Sequence, residues 1–258
     1  MHTISNRYID GRAVSRLLIG FLLLLAGCRA TGDLSYEIPR YGSHDQIIRH
    51  YAYTLCYSEE WEQAKWVAYD LTLPELESRF GRTDRFLEDP LVITQSANAN
   101  DYKGSGYDRG HLAPAADMQW DSIAMRESFY FSNISPQLPG FNRGIWKELE
   151  TKVRQWAEKY EKLYITTGPV CYDSDSAIGA SRVRVPTHFY KAVLVYNDTL
   201  KTGIGFLFPH QKISGDIFDY AVTIDDIEDL TGLDLYPNLP DRFEKKIESE
   251  FDKSFWDE

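Results

Sequence analysis

The chain has 258 residues, of which 43% are hydrophobic and 14% aromatic, so it can form one substantial domain and is not typical of a disordered or repetitive protein. Its formal net charge of −11 at first disfavours a protein that binds nucleic acid. However, 14 of the 39 acidic residues but only 4 of the 28 basic residues follow residue 215, so the remainder is close to neutral and the acidic part need not face a binding cleft.

The chain begins with features of an export signal. An apolar run at residues 17–26 follows Arg7, Arg12 and Arg16, and it is shorter than a typical membrane-spanning helix. The run ends in Leu25-Ala26-Gly27-Cys28, which resembles the bacterial lipoprotein processing box. The resemblance implies a signal peptide at residues 1–27 and lipid attachment to Cys28. The alternative is an ordinary secretory signal with an unrelated cysteine.

Residues 28–45 then read as the lipidated cysteine and a polar tether without periodicity. We therefore expect an exported protein that is lipid-anchored at the bacterial cell envelope, on the periplasmic or the outer surface. Two cysteines remain in the mature chain, Cys56 and Cys171. In an exported protein they can form one disulfide or stay as two buried thiols, and the sequence does not decide between these.

The first part of the domain, which we place at residues 46–258, contains two predicted strands, at residues 47–55 and 66–72, with a turn between them. Residues 74–80 are predicted as a short helix or an extended arm. The next feature is the segment Asp108-Arg109-Gly110-His111. Its imidazole lies two residues from a guanidinium that can bind a phosphate in a bidentate manner. Gly110 leaves room for a positive φ or a closely approaching ligand, and Pro114 is expected to end the strand.

The strongest helix pattern starts near Asn142. Apolar residues recur at three- and four-residue steps and predict an amphipathic helix, at Trp146, Leu149, Val153, Trp156 and Tyr160. Asn142, Trp146, Glu150 and Arg154 are spaced four residues apart, which predicts that they share one helix face and look into one cleft. The alternative for Glu150 and Arg154 is an ordinary exposed ion pair.

Later elements complete a mixed domain. Strands are predicted at residues 163–170, 188–196 and 203–208, and helices at residues 225–230 and 242–251. His188 follows Pro186 in a strand-like run and is interpreted as structural. One domain of mainly strands with one long helix is the expected architecture.

Three motifs in order resemble the DNA/RNA non-specific endonucleases, the sugar-non-specific nucleases of the ββα-metal (His-Me finger) class. They are Asp108-Arg109-Gly110-His111, Ser132-Asn133-Ile134-Ser135-Pro136-Gln137 and Asn142-Arg143-Gly144-Ile145-Trp146-Lys147-Glu148-Leu149-Glu150. The resemblance covers roughly residues 50–250. It implies an α+β, ββα-metal nuclease fold, with a central, mainly antiparallel sheet flanked by helices. One long helix carries the metal ligand.

The resemblance also implies roles for individual residues. His111 would be the general base, and Asn142 the single direct protein ligand of Mg²⁺, with Mn²⁺ as the alternative ion. Glu150 would hold a metal-bound water. Arg109, Arg154 and Arg82 would bind phosphate, with Arg85 as the competitor of Arg82. Asn133 would orient His111 or line the site, and Asp108 would anchor the hairpin or the Arg109 side chain.

The expected activity is Mg²⁺-dependent hydrolysis of DNA and RNA with little sequence specificity. The alternative is a catalytically inactive surface lipoprotein that binds nucleic acid. Neither a preference between DNA and RNA nor the choice between monomer and homodimer follows from the sequence. His210 stands in Phe208-Pro209-His210, where the family more often has asparagine.

Overall fold

The computed structural model describes residues 35–172 and 174–257. The predicted signal peptide, Cys28 and the beginning of the predicted tether lie outside the described residues. Within the described part of the chain, no helix is long and apolar enough to cross a membrane.

The described residues form a largely antiparallel β structure. The strands are β1 (Gln46–Arg49), β2 (Thr54–Ser58), β3 (Gln63–Thr72), β4 (Asp108–His111), β5 (Ile134–Gln137), β6 (Lys162–Val170), β7 (Ala177–Ile178), β8 (Val183–Arg184), β9 (His188–Tyr196), β10 (Lys201–Pro209) and β11 (Ala221–Val222). Seven of them form the central sheet, in the order β1-β2-β3-β6-β9-β10-β11, and every neighbouring pair is antiparallel. The pairs β4-β5 and β7-β8 are separate two-stranded ribbons.

Helices lie against the sheet and at its ends. They are α1 (Ala99–Tyr102), α2 (Ser122–Ser128), α3 (Pro139–Phe141), α4 (Lys147–Tyr160), α5 (Ile224–Thr231), α6 (Asp241–Ser249) and α7 (Lys253–Asp257). A π-helical turn, Asn142–Trp146, joins α3 to α4. The mainly antiparallel sheet flanked by helices confirms the predicted α+β class.

The two faces of the sheet carry different helices. Side chains alternate along β3, so Val67 and Tyr69 point to one core and Trp66 and Ala68 to the other. The first core contains the buried side of α4, and the second contains the buried residues of α5 and α6. Helix α4 therefore lies on one face of the sheet, and α5 and α6 lie on the opposite face.

The predicted stripe of the long helix is buried, since Trp146, Leu149, Val153, Trp156 and Tyr160 are all at most 8% exposed. The later predicted strands and helices coincide with β6, β9, β10, α5 and α6. The prediction of one strand over residues 47–55 is wrong. The chain reverses there, because the His50 amide bonds to the Tyr53 carbonyl and the Tyr51 amide to the Glu127 carboxylate, so β1 and β2 form a hairpin.

Two further expectations are settled by packing. Residues 35–45 do not form a free tether, because Tyr36 and Ile38 pack on the second core and the Thr166 hydroxyl donates to the Glu37 carbonyl. Cys56 and Cys171 are buried and do not form a disulfide, so the structure agrees with the alternative of two free thiols.

Candidate active site

The candidate site is built from the β4-β5 ribbon and the start of α4. In the ribbon, Asp108 faces Gln137 and His111 faces Ile134. Beyond the last pair, the Leu112 amide bonds to the Asn133 carbonyl, which extends the ladder past His111. The ribbon therefore holds the backbone of His111 in a fixed register.

Asn133 is fully buried and acts on the backbone that follows His111. Its side chain accepts from the Ala113 amide at 2.9 Å and donates to the carbonyls of Ala113 and Ser128, both at 2.9 Å. No hydrogen bond joins it to the His111 ring, and it does not line the cavity described below. Of the two predicted roles, lining the site is therefore wrong, and any effect on His111 passes through the backbone.

Gly110 does not have a positive φ, and the predicted space beside it is filled. A Cβ built there would lie 2.2 Å from the side chain of Gln137, which is itself fully buried. The glycine is required because the neighbouring strand's side chain occupies this position, not because a ligand approaches the backbone.

The His111 side chain is 7% exposed and packs between aromatic rings. Its ring centroid lies 4.8 Å from that of Phe129 and 5.6 Å from that of Phe86. Among the described residues, no group hydrogen-bonds to its Nε2. Burial lowers the pKa of His111 to about 3, and the charges of Arg82 and Arg109 act in the same direction. The imidazole is therefore neutral at pH 7 and able to accept a proton.

Asn142 lies in the π turn, next to Asp108. Its Nδ2 donates to Asp108 Oδ2 at 3.0 Å, and the same carboxylate accepts from Arg143 Nε at 2.8 Å and from Arg143 Nη2 at 2.6 Å. Asp108 thus links β4 to the π turn, and of its two predicted roles this agrees with anchoring the hairpin and not with binding the Arg109 side chain. Against the effect of burial, these bonds lower the pKa of Asp108, which is therefore a carboxylate at pH 7.

The predicted row of four residues on one helix face is only partly present. Trp146 is fully buried against Phe141 and Phe189 and does not face the cleft. The reason is the π turn, where Gly144 has non-helical angles of φ −102° and ψ −119°. This turn breaks the regular four-residue spacing between Asn142 and the later positions.

Glu150 and Arg154 both reach the site from α4, but they do not form the exposed pair considered above. Arg154 Nη1 instead bonds to Asp117 Oδ1 at 3.0 Å, and the Tyr69 hydroxyl donates to Asp117 Oδ2 at 2.9 Å. Asp117 is 1% exposed, and its buried carboxylate is stabilised by these two hydrogen bonds. This network fixes the direction of the Arg154 guanidinium.

Lys191 of β9 lies beneath α4 and is fully buried. Its Nζ lies 5.0 Å from the centroid of the Trp146 ring and has no hydrogen-bond partner among the described residues. Burial lowers the pKa of Lys191, and the carboxylates of Glu150 and Asp117 act in the opposite direction. Burial raises the pKa of Glu150, and the charges of Lys191 and Arg154 act against this increase.

Two arginines reach the site from the other side. The Arg109 guanidinium lies 4.0 Å from the centroid of the Phe86 ring, and the Arg82 guanidinium lies 5.1 Å from that of Phe129. Arg82 also bonds to Asp84 at 2.6 Å. Arg85 is exposed and lines neither of the two cavities described next.

The side chains of His111, Asn142 and Glu150 line one cavity of about 410 Å³ together with those of several basic residues. It is lined by Arg82, Arg109, His111, Pro114, Ala115, Ala116, Asn142, Arg143, Lys147, Glu150 and Arg154. A second cavity of about 580 Å³ shares Arg82, Arg109, Asn142 and Arg143 with the first and continues past Tyr107 and Lys103. The lining is strongly cationic, although the protein as a whole is acidic. An elongated anion fits this surface.

The cavity also offers the donors that a hard divalent cation needs. The side-chain NH₂ group of Asn142 donates a hydrogen bond to Asp108, and in the described part of the chain no donor bonds to Asn142 Oδ1. The Glu150 carboxylate lines the same cavity. Oxygen donors without a thiolate or an imidazole in the set fit Mg²⁺ or a similar ion.

Sequence reasoning missed several of these residues. Arg143 and Lys147 line the cavity, and Asp117 holds Arg154. Arg143 and Lys147 stand within the third motif, so their charge was a usable signal. Asp117 and Lys191 gave none, because only the fold brings them beneath α4.

Comparison with known proteins identifies relatives over most of the chain. A profile of the DNA/RNA non-specific endonuclease family matches residues 31–242. Human mitochondrial endonuclease G is 33% identical over 223 residues, which cover 79% of this chain and 74% of the relative. Nuclease C1 from Cunninghamella echinulata var. echinulata is 35% identical over 217 residues, covering 77% and 85% of the two chains. A chain from the crystal structure of the EndoG/EndoGI complex superposes with a TM-score of 0.73 at 31% identity, covering 81% of this chain and 91% of that chain.

Proposed function

The chain belongs to the DNA/RNA non-specific endonuclease family and is a nucleic-acid-cleaving hydrolase, and we propose that it is a Mg²⁺-dependent endonuclease acting on both DNA and RNA. The observation that carries the proposal is one cavity lined by a neutral imidazole, four arginines and an amide whose oxygen accepts no hydrogen bond from the described residues. Contacts to phosphate hold the backbone and carry no base information. Little sequence specificity is therefore expected.

In the proposed reaction His111 acts as the general base. It accepts a proton from a water molecule, whose oxygen forms a bond to phosphorus while the bond to the leaving oxygen breaks. Arg109 and Arg154 would bind the phosphate and stabilise the charge that develops on it. The place of Arg82 in the cavity supports it over Arg85 as the third phosphate ligand. A bound phosphate would offset the arginine charges and raise the pKa of His111 towards the range where a base is effective.

Asn142 and Glu150 would hold the cation, Asn142 directly through Oδ1 and Glu150 through water. Mg²⁺ supplies Lewis-acid stabilisation of the phosphate and leaving oxygens when bound, and Mn²⁺ offers the same oxygen preference. Asp108 orients the Asn142 amide by accepting from Nδ2, which leaves the oxygen as the atom available to the cation. Arg143 in turn neutralises Asp108 and keeps it in this position.

Digestion of plasmid DNA and of RNA tests the activity. We expect both substrates to be cut in Mg²⁺ and in Mn²⁺ and neither to be cut in excess chelator. A mobility-shift measurement in chelator, on the same protein, separates binding from cleavage. Binding of either nucleic acid without any cleavage in metal would support the inactive-lipoprotein alternative, and cleavage at one defined sequence would contradict the proposed specificity.

We also propose that the protein is exported and anchored by lipid on Cys28 at the bacterial cell envelope. The support is Leu25-Ala26-Gly27-Cys28 behind a basic and apolar leader. The anchor would place the enzyme where extracellular nucleic acid is met, on the periplasmic or the outer surface.

Fractionation of cells tests the anchor. We expect the wild type in the membrane fraction and Cys28→Ala in the soluble fraction, because a diacylated terminus holds a protein on a bilayer while an unmodified one does not. Both proteins should cut nucleic acid equally in detergent. A wild type that is already soluble, with a mature terminus other than residue 28, would exclude the anchor.

A further inference from the structure

Three carboxylates meet on the face of the sheet opposite α4. Asp225 and Glu228 belong to α5 and Glu248 to α6, and each offers one oxygen within 4.8 Å of the other two. The helices sit close to β10 because Gly203 and Gly205 have no side chains. A Cβ at Gly203 would lie 2.6 Å from Ile224 of α5 and 2.9 Å from Ile247 of α6. The backbone packing thus fixes both helices and, with them, the three oxygens.

Glu248 is the member of this group that points to a ligand. Glu248 is 7% exposed, and its Oε1 atom is buried with no hydrogen-bond partner among the described residues. Burial raises the pKa of Glu248 to about 8, and the surrounding charges that add to this effect are all carboxylates, those of Glu228, Glu244, Asp225 and Asp234. A buried acceptor among like charges is unfavourable unless a cation or a proton joins it.

Two basic side chains near this group, both within the described part of the chain, are already paired. Arg40 bonds to Asp234, and Lys246 lies 3.6 Å from Glu250, so both basic side chains have their own carboxylates. Glu228 Oε1 accepts from the Leu235 amide at 2.5 Å, which holds this side chain in place. Asp225 is half-buried, so part of the residue is accessible to solvent.

The donor type and the coordination geometry select the ion. Three carboxylates that each offer an oxygen within 4.8 Å of the other two suit a hard divalent cation, and Ca²⁺ accepts six to eight oxygens in flexible geometry, whereas Mg²⁺ requires near-ideal octahedral geometry. The set contains neither the thiolates nor the imidazoles that are frequent in zinc sites. We propose that Asp225, Glu228 and Glu248 bind one Ca²⁺ ion, which ties α6 to α5 on the face of the sheet away from the catalytic cavity.

Calorimetric titration of the full-length protein with Ca²⁺ tests this site, with Mg²⁺ present throughout to occupy the catalytic cavity. We expect one bound Ca²⁺ with a dissociation constant on the order of 10⁻⁴–10⁻³ M. At a Ca²⁺ concentration ten times the dissociation constant, the melting temperature of the wild type should rise by about 3–5 °C. Glu248→Gln should lose both the binding and the rise. In chelator at pH 7 it should melt above the wild type, because Glu248 with its raised pKa must take up a proton on folding and a neutral amide need not.

Two controls locate the ion. Asp229→Asn removes the same charge from an exposed position of α5 and should keep Ca²⁺ binding. Asn142→Ala removes the proposed catalytic ligand and should keep it as well. If Glu248→Gln does not fold, the half-buried Asp225→Asn gives the same test. A wild type that binds no Ca²⁺, binding that both carboxylate variants keep, or binding that Asn142→Ala abolishes would each overturn the proposal.

Discussion

His111→Ala is expected to lower the cleavage rate by about two to four powers of ten, the usual contribution of general-base catalysis. The side chain lines the cavity, and burial keeps its imidazole neutral at pH 7. Because His111 is not among the proposed cation donors, the variant should bind Mg²⁺ as the wild type does. Raising the Mg²⁺ concentration should therefore not restore its rate.

Single-turnover cleavage of a plasmid over a Mg²⁺ series measures this effect. His44→Ala is the matched control, because His44 is exposed and lies far along the chain from the site residues, and it should cleave at the wild-type rate. The melting temperature of His111→Ala shows whether loss of a buried ring has disturbed the fold. A folded His111→Ala with full activity would exclude the base, and rescue by metal would instead indicate a metal ligand.

The elements with strong periodicity could be predicted from the sequence. The stripe of α4 and the apolar runs of β6 and β9 are buried as their patterns indicate. The break between β1 and β2 could not be predicted, because Tyr51 and Tyr53 keep the run aromatic through the turn. The contact that fixes this turn joins Tyr51 to Glu127, 76 residues away.

The candidate site divides in the same way. The family resemblance carried by three motifs was enough to predict that His111, Asn142 and Glu150 lie in one site, and all three line the same cavity. Their partners were not predictable, since Asn142 bonds to Asp108 across 34 residues and Arg154 to Asp117 across 37. Regular helix spacing also failed at Trp146, because the backbone at Gly144 departs from the helix.

Asn142→Ala is expected to weaken apparent Mg²⁺ affinity at least about 100-fold, since it removes the proposed direct ligand. Glu150→Gln, which acts through water, should weaken it by about 10–100-fold. High Mg²⁺ should restore part of the rate of both variants, unlike His111→Ala. The matched controls are Asn238→Ala and, on the same helix as Glu150, Glu158→Gln; both positions are exposed. Equal Mg²⁺ dependence of Asn142→Ala and the wild type would show that the amide is not a ligand.

The pH dependence of Mg²⁺ affinity distinguishes Glu150 from His111. Burial raises the pKa of Glu150 above its ordinary value, so its carboxylate is lost at a higher pH than that of an exposed glutamate. Apparent Mg²⁺ affinity should therefore increase as pH rises from about 5 to 8, because only the ionised group holds the metal-bound water. In binding measurements without substrate, His111 contributes nothing to this slope, because its pKa is lowered to about 3 and it is neutral throughout that window. Higher Mg²⁺ should move the acidic limb of activity to lower pH, because the cation favours the ionised carboxylate.

Two variants test the assignment to Glu150. Glu150→Gln should flatten the pH dependence of Mg²⁺ affinity, while Glu158→Gln should keep it. An unchanged pH dependence in Glu150→Gln would assign the titration to another group.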